Sequence, residues 1–431
     1  MILSLYRLAT TLGEPLIRSY LSRRMARGKE DPERFPERLG RPVRPRPGGP
    51  LIWAHAASVG ESISILPLIE RLRTDYPDAS ILLTTGTVTS ARLMGERLPQ
   101  GAFHQFVPVD RPAYVRSFLD HWRPDLVLWA ESEFWPNMLR ETAGRGIPMI
   151  LVNGRVSDRS FARWRRYRRT IAKLLRCFRL AMGQSETDCE RLRKLGAARA
   201  VCPGNLKYAA PPLPADPQKL EALRSSTESR RIWLAASTHP GEEEICGRIH
   251  RKLKVPFAHV LTVVVPRHPE RGGEIAETLR ALGLDVALRS ADDPIGPGTD
   301  VYVADTIGEL GLFYRLAEVA FIGKSLAGSG GQNPFEAAAL GKPVLFGPDM
   351  SNFRDMTNRM LEAEAAEMVP DAAGLEAALG RLLTDKKLRL ARGEAGARYA
   401  AGEAQVLDRV MAEIAAVAEG VLRRGNGDET A

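Results

Sequence analysis

From residue 50 onward, short apolar runs alternate with stretches of helical period, and this alternation limits the possible folds more than any other feature. Runs at 51–54, 81–85, 126–130, 149–152 and 180–183 are each followed by a helical stretch. The pattern stops at a proline-rich segment, AAPPLPADP at 209–217, and restarts with runs at 232–236, 259–265, 301–304, 319–323 and 343–347. Continuous apolar runs separated by helices belong to parallel sheets covered on both faces. Two such blocks joined by prolines predict two Rossmann-like α/β domains facing across a cleft. The predicted division is an anchor helix at 1–27, an N-terminal domain at 28–208, a linker at 209–230 and a C-terminal domain at 231–431. That last domain takes the C-terminal helices, with 425–431 as a frayed end. A chain of 431 residues is too long for one core and suits two. In open parallel sheets, ligands sit beyond the carboxyl ends of the strands, so residues just after strands are the candidates for chemistry.

Charge is unevenly spread. Residues 1–205 hold 34 Lys and Arg against 20 Asp and Glu, whereas residues 206–431 hold 27 against 32. A basic front half predicts one domain that meets an anionic surface or substrate, and argues against a uniformly basic nucleic-acid binder. Four cysteines with no CxxC pair and no His partners at ligand spacing argue against a zinc site and a disulfide framework, and for a reducing compartment. No run of eighteen uncharged apolar residues exists. Near the start, Leu5, Leu8, Leu12, Leu16 and Tyr20 recur at helical spacing, and Arg18, Arg23, Arg24, Arg27 and Lys29 follow. This predicts a helix lying in a membrane interface, its arginines at anionic head groups.

Four constellations carry possible chemistry. HAASVGE (55–61) follows the first run, with Gly60 expected at a tight turn or ligand approach. Glu61 then falls at the start of a helix, whose dipole favours its ionised form, suited to a general base. Capping the helix is the competing role, and spacing alone leans slightly toward it. ESEFWPN (131–137) follows the run at 126–130; on an extended backbone Glu131 and Glu133 point to opposite sides and cannot share a site. Between Arg155 and Arg179 ten basic residues accompany one acid, Asp158, while Trp164, Tyr167, Ile171, Leu174 and Phe178 form an apolar stripe. This reads as one amphipathic helix whose arginines suit phosphate recognition. In the second half, PRHPE (266–270) puts Arg267 and His268 at the ligand end of a strand. GSGGQNPFEAA (328–338) predicts a helix capped by Asn333, with Pro334 first and Glu336 third, left open to phosphate by Gly330 and Gly331. Gly323-Lys324-Ser325 is not a P-loop end, because Glu318 stands where the first glycine belongs.

With these pieces in order, the chain resembles the bacterial 3-deoxy-D-manno-octulosonic acid (Kdo) transferases. The resemblance rests on SVGE (58–61), ESEFWPN, GNLK (204–207), STHPGEE (237–243), PRHPE, DTIGEL (305–310) and GGQNPFEAA (330–338). It implies a GT-B fold and an inverting, metal-independent transfer of Kdo from CMP-Kdo to a lipid A precursor (lipid IVA). No cofactor is implied, and the sequence has no Asp-x-Asp cluster. The implied setting is the cytoplasmic face of the inner membrane, peripheral or monotopic. It makes Glu61 the base, against the capping preference, with Glu131 and Lys207 assisting the transition state. It carries CMP contacts to Pro266 and Arg267, to Ile307, Gly308 and Glu309, and to Asn333, Pro334, Phe335 and Glu336. Arg165, Arg166, Arg168 and Arg169 are assigned to acceptor phosphates and the anionic membrane surface. Three positions depart from many relatives: Gln332 for His, Lys324 for a second Gly, and Asn205 for Ser. The alternatives are another GT-B enzyme using a different nucleotide sugar, and a non-catalytic protein binding anionic lipid.

Overall fold

The computed structural model describes residues 2–209 and 212–422. The chain divides into two compact units, Met1–Ala210 with Glu403–Ala431, and Pro211–Gly402. Each is built on one seven-stranded parallel sheet.

In the first unit the strands are β1 (Leu51–His55), β2 (Ser80–Thr85), β3 (Ala102–Phe106), β4 (Leu126–Ala130), β5 (Met149–Gly154), β6 (Leu180–Gly183) and β7 (Ala200–Val201). Their order is β3-β2-β1-β4-β5-β6-β7, so the direction of winding reverses between β1 and β4. Every residue of β1, β4, β5 and β6 is buried, as expected for strands with helices on both faces. One face packs Trp53, Trp129 and Leu151 against helices at Pro112–Trp122 and Pro136–Gly144. The other packs Ala54, Leu128 and Val152 against the helix Val59–Asp75 and, from the far end of the chain, Val406–Leu422.

That last contact corrects the predicted domain division. Val406, Val410, Met411 and Ile414 are buried with Ile65, Ile69 and Leu206 in the first core. At about 1.5–3 kcal/mol per buried side chain, this is where the helix belongs. The second unit is therefore an insertion ahead of the final helix of the first. The predicted frayed end, 425–431, and residues 210–211 of the predicted linker lie outside the described residues. The rest of that linker is not all extended, because Asp216 caps a helix at Pro217–Ser226.

The second sheet comprises β8 (Arg231–Thr238), β9 (Val260–Pro266), β10 (Val286–Leu288), β11 (Val301–Val303), β12 (Val319–Ile322), β13 (Val344–Phe346) and β14 (Ala366–Met368), in the order β10-β11-β9-β8-β12-β13-β14. Here winding reverses between β8 and β12.

Two predicted single helices are each broken. The N-terminal segment forms Ile2–Leu12 and Glu14–Ala26, interrupted at Gly13. The arginine-rich segment forms Asp158–Arg166 and Arg168–Leu175, interrupted at Tyr167, whose φ of −114° and ψ of 34° are not helical.

Candidate active site

The reversal point between β1 and β4 gathers the front-half candidates. Beyond β1, Ser58 caps the helix Val59–Asp75: its Oγ accepts the Glu61 N–H at 3.3 Å and donates to Glu61 Oε1 at 3.0 Å. The Ala57 N–H donates to Oε2 at 2.7 Å. This is a capping box in all but one residue's offset, so the sequence pattern S-x-x-E does cap. The same bonds hold the carboxylate still at the mouth of the sheet. The dipole argument for its ionisation fails, however. Burial, joined by the Glu131 and Glu133 charges, outweighs the Ala57 and Ser58 hydrogen bonds and raises the Glu61 carboxyl above the usual carboxylate range. A raised carboxyl is a stronger base once ionised. Gly60 is not a turn residue but lies inside the first helical turn, with open space where a Cβ would stand.

Beyond β4, Glu131 takes a left-handed φ of 55° while its N–H bonds the Val152 carbonyl at 2.9 Å. That turn breaks the extended alternation on which Glu131 and Glu133 were separated. Both charges act on Glu61, so the two acids do share its surroundings. Burial also raises the Glu133 carboxyl. Lys207 reaches Glu131 Oε1 at 3.1 Å from the short turn Leu206–Ala209.

A relay of side chains fixes that turn. Asn153, left-handed at the end of β5 with φ of 55°, accepts the Leu206 N–H on Oδ1 at 3.0 Å. Its carbonyl takes Gln184 Nε2 at 3.0 Å; Gln184 Oε1 takes Asn205 Nδ2 at 3.3 Å; and Asn205 Oδ1 takes the Lys207 N–H at 3.0 Å. Asn205 thus serves as an Asx turn for Lys207. The sequence reading missed Asn153 and Gln184. Their signal was position, immediately after the apolar runs of β5 and β6.

In the second unit, a cavity of about 320 Å³ opens at the β8/β12 reversal. Ala236 and Ser237 of β8, Ile322 of β12, Arg267, Gly308, Tyr314, Gln332, Asn333 and Glu336 line it, with Leu213 and the start of the helix Leu310–Leu316. Of the predicted donor contacts, Arg267, Gly308, Asn333 and Glu336 are therefore on the wall. Pro266, Ile307, Glu309, Pro334 and Phe335 are not among the lining residues. Glu309 has another occupation: Arg289 grips it at 2.6 and 2.9 Å, Lys219 at 2.7 Å and Thr306 at 2.6 Å, and these bonds hold its carboxyl far below the usual range. Ser237 and Tyr314 were not singled out from the sequence.

The predicted phosphate-binding helix start is also revised. The helix is only Phe335–Ala339, preceded by Pro334 at the cap position, and Asn333 Oδ1 accepts the Phe335 N–H at 3.1 Å. Five residues make a weak dipole. Gly330 and Gly331 are left-handed, and a Cβ on either would come within 2.2 Å of Asn352 Nδ2 or Met350 Sδ, so packing demands them. The Gly323-Lys324-Ser325 loop does form a cradle of backbone N–H groups, but the buried Glu242 carboxylate fills it, accepting from Lys324 at 2.6 Å, Ser325 at 2.9 Å and Leu326 at 3.1 Å. An internal anion thus occupies the place a P-loop gives to phosphate.

On the first unit's surface, the N-terminal helices dock through polar side chains and through the buried Leu3 and Leu21. Tyr6 donates to Asp110 at 3.0 Å, Arg7 pairs with Glu141 at 2.7 Å, and Glu14 meets Arg111 at 2.5 Å. Leu5, Leu8, Leu12, Leu16 and Tyr20 stay outside, each more than half exposed. Among the described residues, no helix is long and apolar enough to cross a membrane. In the arginine-rich pair, Ile171, Leu174 and Phe178 enter the core and Trp164 packs on Phe134, so the stripe is mostly core. Tyr167, Arg165, Arg166, Arg168 and Arg169 remain exposed.

Several known proteins are similar to this chain in sequence. A family model described as 3-deoxy-D-manno-octulosonic-acid transferase (kdotransferase) matches residues 33–210. The 3-deoxy-D-manno-octulosonic acid transferase of Rickettsia felis is 37% identical over 363 residues, covering 84% of this chain and 78% of that protein. Its counterpart in Bordetella pertussis is 34% identical over 421 residues, 94% of this chain and 97% of that one. Among solved structures, a UDP-GlcNAc 2-epimerase from Neisseria meningitidis superposes with a TM-score of 0.59 at 12% identity, over 84% of this chain and 99% of that one, a likeness of GT-B-like fold alone. Identity above a third over 84% and 94% of its length places the chain in the 3-deoxy-D-manno-octulosonic acid transferase family.

Proposed function

We propose that this enzyme transfers Kdo from CMP-Kdo to a sugar hydroxyl of a lipid A precursor, with inversion and without a metal. The observation that carries the reading is the Glu61 carboxylate, held by Ala57 and Ser58 next to the Glu131–Lys207 pair at the mouth of the first sheet. In the mechanism, Glu61 takes the proton from a glucosamine 6-hydroxyl as that oxygen attacks the anomeric carbon of Kdo. The bond from that carbon to the CMP phosphate breaks on the opposite face. Glu131 and Lys207 stabilise the charge that develops, Lys207 held in place by Asn205 and Glu131. Arg267 offers its guanidinium to the departing phosphate, supported by its place on the cavity wall. The backbone at Gly308 and the side chains of Asn333 and Glu336 are left to recognise the nucleoside. Pro266, Ile307, Glu309, Pro334 and Phe335 would act by shaping that wall.

The lipid acceptor fits the surface chemistry. The exposed apolar row from Leu5 to Tyr20 suits insertion between head groups, and Arg165, Arg166, Arg168 and Arg169 suit phosphates of lipid or acceptor. Incubation of the purified protein with lipid A precursor and either CMP-Kdo or UDP-sugars, read by mass spectrometry, tests this. A mass gain of Kdo from CMP-Kdo is the expected result. Transfer from a UDP-sugar, or no transfer with retained vesicle binding, would replace the reading with one of the two alternatives.

A further inference from the structure

Lys324 is a charge that the mechanism above leaves unused. It follows the carboxyl end of β12 at the point where winding reverses, the place where open parallel sheets receive ligands. Ile322, two residues earlier, lines the cavity. The Lys324 carbonyl accepts the N–H of Gly331 at 3.0 Å, and the next residue, Gln332, lines the cavity as well. The lysine is thus fixed by backbone bonds between two parts of one wall. Its φ is 60°, a left-handed conformation that strains a side chain-bearing residue and suits glycine. Backbone strain of this kind gathers at ligand sites.

Among the described residues the Lys324 ammonium makes no ion pair; the neighbouring Glu242 carboxylate takes the Lys324 backbone N–H at 2.6 Å instead. Arg267, by contrast, acts electrostatically on the Glu336 carboxyl, which lines the same cavity. The adjoining imidazole does not share the work. His239 accepts Gln332 Nε2 at 3.1 Å, and burial together with the Lys324 charge keeps it neutral.

We propose that Lys324, with the Gln332 amide and Ser237 beside it, forms a carboxylate subsite that takes the acid group of the donor sugar while Arg267 takes the phosphate. The proposal rests on the donor reading above, in which the substrate carries two anionic groups, one on the sugar and one on the nucleotide.

Steady-state kinetics separate the two sites, because CMP has the phosphate but lacks the carboxylate. In Lys324→Met the KM for CMP-Kdo should rise about tenfold or more, while the Ki for CMP stays within about twofold. Lys324→Arg should recover most of the affinity. Lys324→Gly, whose backbone suits the left-handed φ, should melt no lower than wild type yet share the KM defect, which separates charge from folding. Equal rises in KM and Ki, or an unmoved KM, overturn the subsite while wild-type turnover preserves the donor reading. A wild-type enzyme that neither uses CMP-Kdo nor is inhibited by CMP removes the donor reading and the subsite with it.

Discussion

Replacing Glu61 by glutamine isolates the proposed proton transfer from the capping role. The carboxylate accepts two hydrogen bonds, from the Ala57 N–H and the Ser58 hydroxyl. A glutamine carbonyl oxygen keeps the Ala57 bond, and its NH2 can donate to Ser58 Oγ once that hydroxyl rotates. The cap itself, Ser58 accepting the residue-61 N–H, is untouched. Stability should therefore change by less than about 1 kcal/mol. The sign can be worked out from the raised carboxyl. A group that binds its proton more tightly folded than unfolded contributes stability below its unfolded pKa and loses it as pH rises through the folded one. Glu61→Gln should then melt no lower than wild type at pH 7, with any advantage fading on acidification. Catalysis should respond otherwise: loss of a general base costs about a hundredfold or more, near 3 kcal/mol of barrier. Wild-type kcat/KM should fall on an acid limb set above the ordinary carboxylate range, and the variant should lack that limb. The assay is Kdo transfer by mass spectrometry beside CMP affinity by calorimetry, which should not move. Retention of more than a tenth of the activity, or an unchanged pH profile, would leave Glu61 as a helix cap and refute the reasoning.

Three further tests address the other parts. Arg267→Ala should weaken CMP binding by about 1.5–3 kcal/mol, read by calorimetry, and leave the acceptor KM unchanged. Glu309→Gln should lower thermal stability by about 2 kcal/mol at pH 7, because it weakens the grip of Arg289 and Lys219, and should affect CMP binding less than Arg267→Ala does. That loss should disappear as acid protonates the wild-type group, since a depressed carboxyl gives its stability above the unfolded pKa and surrenders it as pH falls. Changing Arg165, Arg166, Arg168 and Arg169 together to glutamine should raise the apparent KM for lipid acceptor and flatten its dependence on salt, while circular dichroism stays native.

What the sequence made legible follows the physics of burial. The ten apolar runs all became strands, but β3, β7, β10 and β14 were not foreseen, and these four are the sheet edges. An edge strand has one side unpaired and one face partly wet. AFHQF and AEM are accordingly mixed in polarity, AV and VAL are only two and three residues long, and all four are partly exposed. The candidate residues at β1, β4 and β9 were findable because ligand sites lie at strand ends. Glu133 and Asn153 were not, because their place depends on left-handed turns at Glu131 and Asn153, and a glutamate in that conformation leaves no compositional trace. The final helix was assigned to the wrong unit because an amphipathic face does not say which core it will cover.

That final helix also dictates when the first unit can be finished. The helix bearing Glu61 and the turn bearing Lys207 both pack against Val406–Leu422, which is synthesised after the whole of the second unit. During translation the first sheet therefore waits with one face incompletely covered, and Ile65, Ile69 and Leu206 gain their last neighbours only when residues 406–422 have left the ribosome. A nascent chain halted before that point holds every proposed catalytic side chain yet lacks the cover that seats them. The order of synthesis thus delays assembly of the site until almost all of the chain has been made.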